Sequence, residues 1–282
     1  MTGSSTLKQR LARGEVLAGA WCSIGNAACV EILANSGAAY VALDQQHGDI
    51  YPSTTPALVA AADGRAQVLI RVARNEPQLI EKALDQGADA VIAPLVESLD
   101  DAHLLRDSSR FPPHGRRSYG GRTRGVMRAD GDPRTANDQV ACIALIETMA
   151  GVESIEEICT RGGIDAVYIG LNDLALSLGL SPKMAVQEGP HARAVERIAS
   201  ACRDAGIAWG AHASPQTGVD ELIARGAQLI TVCNDIALIE NGARHAASAA
   251  AAAAVSAAAA HNDSAPETRA RVKRLADRDR AV

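Results

Sequence analysis

Four positions spread through the chain carry side chains that together could act on a carbonyl compound. They are His47 in "LDQQHGD" (residues 43–49), Arg71 closing "QVLIR", Glu147 closing "ACIALIE" and Asp173 in "YIGLND" (168–173). Two carboxylates with coordination positions left for water suit a hard divalent cation such as Mg²⁺ or Mn²⁺. Such an ion can grip the carboxylate and keto oxygens of a 2-oxo acid and polarise the ketone. An arginine beside it would stabilise an enolate oxygen, and an imidazole within reach would move the proton. Asp44, Gln45 and Gln46 stand immediately before the histidine and could orient it. Singly, each residue has a plainer reading: His47 as a loop residue, Glu147 and Asp173 as partners of helix N-termini, Arg71 as a surface cation. Their common place at strand ends favours the joint reading.

The elements that must hold them are legible as an alternation. Continuously apolar runs occur at 17–24, 40–44, 67–72, 90–95, 141–147, 166–170, 208–212 and 229–233. Runs without polar alternation are those of parallel strands covered on both faces. Amphipathic segments at 76–89, 151–165 and 214–228 lie between them, and Gly37, Gly87, Gly162 and Gly226 read as helix C-caps before the next strand. Eight βα units predict a (β/α)₈ TIM barrel, whose active sites form at the carboxyl ends of the strands. A doubly wound sheet is the alternative, but the first βα junction offers only "SIGN" (23–26) where a nucleotide-binding sheet needs a glycine-rich loop.

Composition narrows the rest. Apolar residues make up 47% of the 282 and aromatics 2%, so the core must be built from Ala, Val, Leu and Ile. A net charge of −5 argues against nucleic acid or a membrane surface as partner. No apolar run spans a bilayer, no signal peptide opens the chain, and the six cysteines lack paired spacing, which predicts a cytoplasmic protein with reduced thiols. The lysines are Lys8, Lys82, Lys183 and Lys273, none at the carboxyl end of a predicted strand, so imine catalysis is disfavoured. Among the other histidines only His212, at the end of the seventh run, stands where a site could use it. Residues 110–133 read as a long Gly/Pro/Arg loop, and 246–282 as an Ala-rich helical extension followed by a disordered polar tail, beyond a barrel domain of residues 1–245.

The segments "LDQQHGD", "LIRV" (69–72), "PLVESLDDA" (94–102), "RFPPHGRRS" (110–118), "ALIETMAGVESIEEI" (144–158) and "DAVYIGLNDLALSLG" (165–179) together resemble the HpcH/HpaI family of class II pyruvate aldolases. The two acids stand 26 positions apart here, as in the family. The resemblance runs from about residue 8 to 240 and implies a metal-dependent lyase that splits a 4-hydroxy-2-oxo acid into pyruvate and an aldehyde. Family members act on 4-hydroxy-2-oxoheptanedioate or on 2-keto-3-deoxy sugar acids. By the same resemblance, Glu147 and Asp173 bind Mg²⁺, Mn²⁺ or Co²⁺, His47 is the base and Arg71 holds the ketone oxygen. Asp85 would orient the histidine, Asp44 would stand near it, and the backbone of Gly170, Leu171 and Asn172 would cradle the pyruvate carboxylate. A homo-oligomer, trimer or hexamer, is also implied. Gln46 departs from the acid that several members carry there, so the acceptor aldehyde is not inherited. Arg116, Arg117, Arg122 and Arg124 could bind an anionic one. The rival readings are an enolate enzyme that decarboxylates oxaloacetate, as macrophomate synthase-like proteins do, one acting on a CoA ester, and a barrel that keeps a metal site without catalysis.

Overall fold

The computed structural model describes residues 5–182, 189–214 and 218–279, with side chains up to residue 257. The eight apolar runs form strands β1 (Leu17–Cys22), β2 (Tyr40–Asp44), β3 (Gln67–Arg71), β4 (Ala90–Ala93), β5 (Ala141–Ile146), β6 (Ala166–Ile169), β7 (Ala208–His212) and β8 (Leu229–Asn234). All pair in parallel and in chain order, and β8 closes on β1. The helices around them are α1 (Leu7–Ala12), α2 (Ala27–Asn35), α3 (Thr55–Ala62), α4 (Pro77–Asp85), α5 (Leu99–Ser109), α6 (Arg124–Met127), α7 (Pro133–Gln139), α8 (Met149–Glu153), α9 (Ile155–Arg161), α10 (Leu171–Ser177), α11 (Pro190–Ala205), α12 (Val219–Ala224) and α13 (Asp235–Asp279). The predicted TIM barrel is the observed fold.

Strand parity explains the uninterrupted apolar runs. Val41 and Leu43, Val68 and Ile70, and Cys142, Ala144 and Ile146 face the helices. Tyr40 and Ala42, Leu69, and Ala141, Ile143 and Leu145 fill the barrel interior. Continued one step, the inward series delivers Asp44, Arg71 and Glu147 to the carboxyl ends. Several strands stop one or two residues short of the expected limits, which leaves Glu147 and Gly170 just past β5 and β6.

Large interior rings need small neighbours. A Cβ added to Gly19 of β1 would overlap the ring of Tyr40 on β2. Gly19→Ala is therefore expected to cost about 1–3 kcal/mol through overpacking, read as a lowered urea midpoint by circular dichroism. An unchanged midpoint would mean that Tyr40 relocates freely.

Two expectations need correction. The stretch 110–133 is not structureless: it holds α6, leads into α7, and packs a small core of Phe111, Val126, Ala129 and Ala136. Arg110, only 5% exposed, anchors it by donating to the carbonyls of Asn137 and Val140 and by pairing with Asp165. Glycine and arginine content suggested a loop; a buried cation with full hydrogen bonding made it a folded one. The segment 151–165 splits at Ser154 into α8 and α9; Gly162 is the C-cap of α9, as expected, and the left-handed φ (70°) falls on Gly163 behind it. The Ala-rich extension expected from residue 246 lies within α13, which runs from Asp235 to Asp279. By contacts the chain divides into a unit ending at Ile236 and one beginning at Ala237. Lys183 and residues 215–217 lie outside the described residues.

Candidate active site

Asp44 and Arg71 are register partners across β2 and β3. Their side chains form a two-pronged ion pair: Arg71 Nε donates to Asp44 Oδ1 at 2.9 Å and Nη2 to Oδ2 at 2.5 Å. Trp21 Nε1 donates to the same Oδ2 at 3.1 Å, and the guanidinium lies 5.1 Å from the Trp21 ring centroid. The backbone N–H groups of Gln46 and His47 complete the set on Oδ1. Asp44 is 2% exposed. Burial works to raise its pKa, but the hydrogen bonds and charge of Arg71, then Trp21 and the His47 N–H, outweigh it and hold the carboxyl below its ordinary value. Asp44 thus positions Arg71 and ties down the turn that carries His47. Two of the three guanidinium nitrogens are committed to Asp44.

Glu147 follows β5 and precedes Thr148, whose hydroxyl caps α8 by accepting from Gly151 N. Its Oε1 accepts from Leu95 N at 3.0 Å. Leu95 adopts φ 54°, the left-handed region that a leucine enters only at a cost of order 1–3 kcal/mol. That turn aims its N–H at the carboxylate. On the other side Gly170 is required by proximity: a Cβ there would sit 2.8 Å from Glu147 Oε2. Glu147 is 4% exposed, and its pKa is pushed up to about 7 by burial and by the charges of Asp173 and Glu97, against the pull of the Leu95 N–H and Arg71. Asp173 is in the first turn of α10 and exposed.

A buried Glu147 whose proton affinity is raised by burial and then by the charge of Asp173 fits a divalent cation, which would supply the missing positive charge. Among the described residues no cluster of three or more His, Cys, Asp or Glu side chains is assembled, so such a cation would take two oxygen-donor side chains from the protein. A pH dependence follows. Below about pH 7 the cation must displace a proton from Glu147, so affinity should fall about tenfold per pH unit. Titration calorimetry with Mn²⁺ in two buffers should find close to one proton released at pH 6 and close to none at pH 9. Equal release at both would contradict the assignment.

The structure brings Asp44, Arg71 and Glu147 into one electrostatic cluster, with Asp173 acting on Glu147. His47 stands on the turn after β2, exposed, with Gln46 Oε1 beside it buried and lacking a hydrogen-bond partner. Asp85 is not found on His47: its Oδ1 accepts from Arg117 Nη2 at 2.8 Å. Arg117 is 2% exposed and stacks on Phe111 at 4.5 Å, so it braces the 110–133 segment. Arg124 pairs with Asp63, Arg116 lies 3.6 Å from Asp107, and Arg122 is exposed. Arg116, Arg117 and Arg124 are thus each held by a different carboxylate.

Sequence reasoning missed Trp21, Leu95 and Tyr168. Inward parity in β1 could have found Trp21; nothing in "PLVES" betrays the strained turn at Leu95. His212, noted as the end of β7, joins the cluster: its ring centroid lies 4.6 Å from Trp21 and its Nδ1 3.1 Å from Tyr168 Oη. His191, expected to be structural or solvated, is buried, and its Nε2 bonds the carbonyl of Leu171 at the start of α10.

The sequence profile described as HpcH/HpaI aldolase/citrate lyase matches residues 17–242. A hydroxypyruvate/pyruvate aldolase of Roseobacter denitrificans is 31% identical over 253 residues, covering 86% of this chain and 96% of the relative. A 2-keto-3-deoxy-L-rhamnonate aldolase of Shigella dysenteriae is 30% identical over 243 residues, covering 83% and 89%. The crystal structure of an HpcH/HpaI aldolase/citrate lyase family protein from Burkholderia cenocepacia superposes with a TM-score of 0.80 at 32% identity, covering 86% of this chain and 98% of that one.

Proposed function

Since the chain belongs to the HpcH/HpaI aldolase/citrate lyase family, we propose that it is a divalent-cation-dependent aldolase that reversibly cleaves a 4-hydroxy-2-oxo acid to pyruvate, or a substituted pyruvate, and an aldehyde. The observation that carries this reading is the placement of Glu147, buried and acted on by Asp173, beside an Arg71 already locked in position by Asp44 and Trp21. Relatives named as aldolases for pyruvate, hydroxypyruvate and a keto-deoxy sugar acid support it. A cation on Glu147 and Asp173, Mg²⁺ or Mn²⁺ by the hardness of its ligands, would supply Lewis acidity to the ketone.

The chain's own residues do the rest. Arg71 Nη1 donates to the ketone oxygen and gains strength as that oxygen becomes an enolate. Its ion pair with Asp44 removes the cost of orienting it during reaction. His47 takes the C4 hydroxyl proton as the C3–C4 bond breaks, and the electron pair moves onto C3 and the carbonyl. First-turn N–H groups of α10, at Leu171 and Asn172, are offered to the substrate carboxylate. Glycine at 170 leaves room for the Glu147 side chain beside them. Asp85 accepts from Arg117 through Oδ1, and no bond between it and His47 is present among the described residues. A homo-oligomer, trimer or hexamer, belongs to the same reading.

The test is release of pyruvate or hydroxypyruvate from a panel of 2-keto-3-deoxy sugar acids and their 3-hydroxy counterparts, followed with lactate dehydrogenase and NADH, which reduces either product. Release that starts on adding Mg²⁺ or Mn²⁺ and stops with EDTA is expected. Cation-independent release, or none from any member of the panel, would contradict the reading.

A further inference from the structure

A buried row of hydroxyls crosses the barrel interior and ends on an imidazole at its mouth. Tyr40 Oη on β2 lies 2.9 Å from Thr231 Oγ1 on β8, and Tyr168 Oη on β6 lies 2.6 Å from the same oxygen. Tyr168 Oη is in turn 3.1 Å from His212 Nδ1. Tyr40, Tyr168 and Thr231 are at most 1% exposed. The direction of donation along the row follows from the cost of leaving a buried O–H undonated. Tyr40 is the closed end, and its proton goes to Thr231. Thr231 then donates to Tyr168, and Tyr168 donates to Nδ1. Burial drives both phenol pKa values upward, so these protons stay in place. With Nδ1 accepting, the neutral imidazole carries its hydrogen on Nε2, the nitrogen turned away from Tyr168.

That ring is held neutral. Burial and the nearby charge of Arg71 bring its pKa down to about 4, with only Asp44 pulling the other way. His212 and Arg71 border the same indole, one from β7 and one from β3: the imidazole centroid is 4.6 Å from the Trp21 ring and the guanidinium 5.1 Å. On the function proposed above, the carboxylate and ketone of a 2-oxo acid are taken by the β5–β6 side and by Arg71. C3 then faces the sector of Trp21 and His212. A methyl group there meets the indole but leaves the N–H without a partner, and an unpaired donor in an enclosed site is a penalty against that substrate. An oxygen on C3 removes it.

We propose that Nε2–H of His212 donates to a hydroxyl on C3 of the donor substrate, which makes this site selective for 3-hydroxy-2-oxo acids over pyruvate. The proposal rests on the aldolase reading. It makes His212 a specificity residue, and it gives the Tyr40–Thr231–Tyr168 row the task of fixing its tautomer.

The experiment is C3 proton exchange into D₂O, followed by NMR on the Mg²⁺-loaded full chain, with hydroxypyruvate and pyruvate as probes. The ratio of their kcat/KM values should favour hydroxypyruvate. It should fall about tenfold in His212→Leu, the size of one neutral hydrogen bond, and less in His212→Gln, which keeps a donor. Tyr168→Phe, which releases Nδ1, should lower the ratio as well. A readout without turnover is the ¹⁵N-labelled imidazole: a protonated Nε2 whose proton resonance moves with hydroxypyruvate and not with pyruvate. Equal ratios in wild type and His212→Leu, or a hydrogen found on Nδ1, would overturn the proposal while leaving the aldolase reading intact. Should His212→Leu fail to fold, the Tyr168→Phe ratio and the wild-type ring resonances decide. Exchange of neither donor by wild type would bring down the aldolase reading and this inference with it.

Discussion

Glu147→Gln should abolish divalent-cation binding and reduce aldol cleavage by about a thousandfold or more, the several kcal/mol that a Lewis acid supplies to a carbonyl. The amide keeps the volume of the side chain and can still accept from Leu95 N through its oxygen, so the surroundings have no reason to rearrange. What disappears is one of two charges facing the cation. Stability should respond in the opposite sense. In the metal-free wild type the raised pKa, about 7 against an ordinary 4.5, means that the fold holds this proton more tightly than the unfolded chain does. The associated stabilisation is complete below pH 4.5 and is lost as pH rises through 7. A glutamine has no such loss. Metal-free Glu147→Gln should therefore melt above metal-free wild type at pH 8, while added Mn²⁺ should raise the wild-type melting temperature alone. Calorimetry and a thermal melt read both effects. Retained cation binding in the variant would remove Glu147 from the ligand set.

Arg71→Lys should lower kcat by about 10²–10³-fold, the range seen when a preorganised oxyanion donor is lost. Lysine keeps a positive charge near Asp44, so the buried carboxylate retains a partner and the fold should survive. It cannot keep two parallel bonds to Asp44 and still present a third nitrogen to substrate, as the guanidinium does. KM for the 2-oxo acid should change less than kcat, because the lost contact strengthens as the enolate forms. Arg71→Met is the informative contrast. It strands Asp44, 2% exposed, without its cation, and a cost of about 3–5 kcal/mol in stability is expected. If Arg71→Lys retains wild-type kcat, Arg71 serves only to balance Asp44.

The barrel was legible because its signal repeats. Eight apolar runs separated by amphipathic segments admit few closures, and parity within each run places Asp44, Arg71 and Glu147 at one rim. What sequence could not give was pairing. Arg71 alone looks like a surface cation; only the β2–β3 register shows that Asp44 fixes it. The same register shows why Asp44 lies under the His47 turn. Asp85 was placed on His47 by resemblance, but a buried Arg117 holds it, and no local pattern in "HGRRSYGG" announces which of two adjacent arginines turns inward. The 110–133 segment misled for a related reason. Its glycines and prolines are those of a loop, whereas its order comes from Arg110 and Phe111 anchored 26 to 55 positions away. Leu95 is the extreme case: an ordinary leucine whose backbone N–H, delivered by a strained turn, does the work.

The central claim is enolisation by a cation-dependent site, and exchange of the pyruvate methyl protons with solvent deuterium tests it without any assumption about the aldehyde. The account predicts exchange on adding Mg²⁺ or Mn²⁺, and its loss with EDTA and in Glu147→Gln. Absence of exchange, from pyruvate and from hydroxypyruvate alike, in protein shown by calorimetry to have bound the cation, or exchange indifferent to chelation, would contradict it.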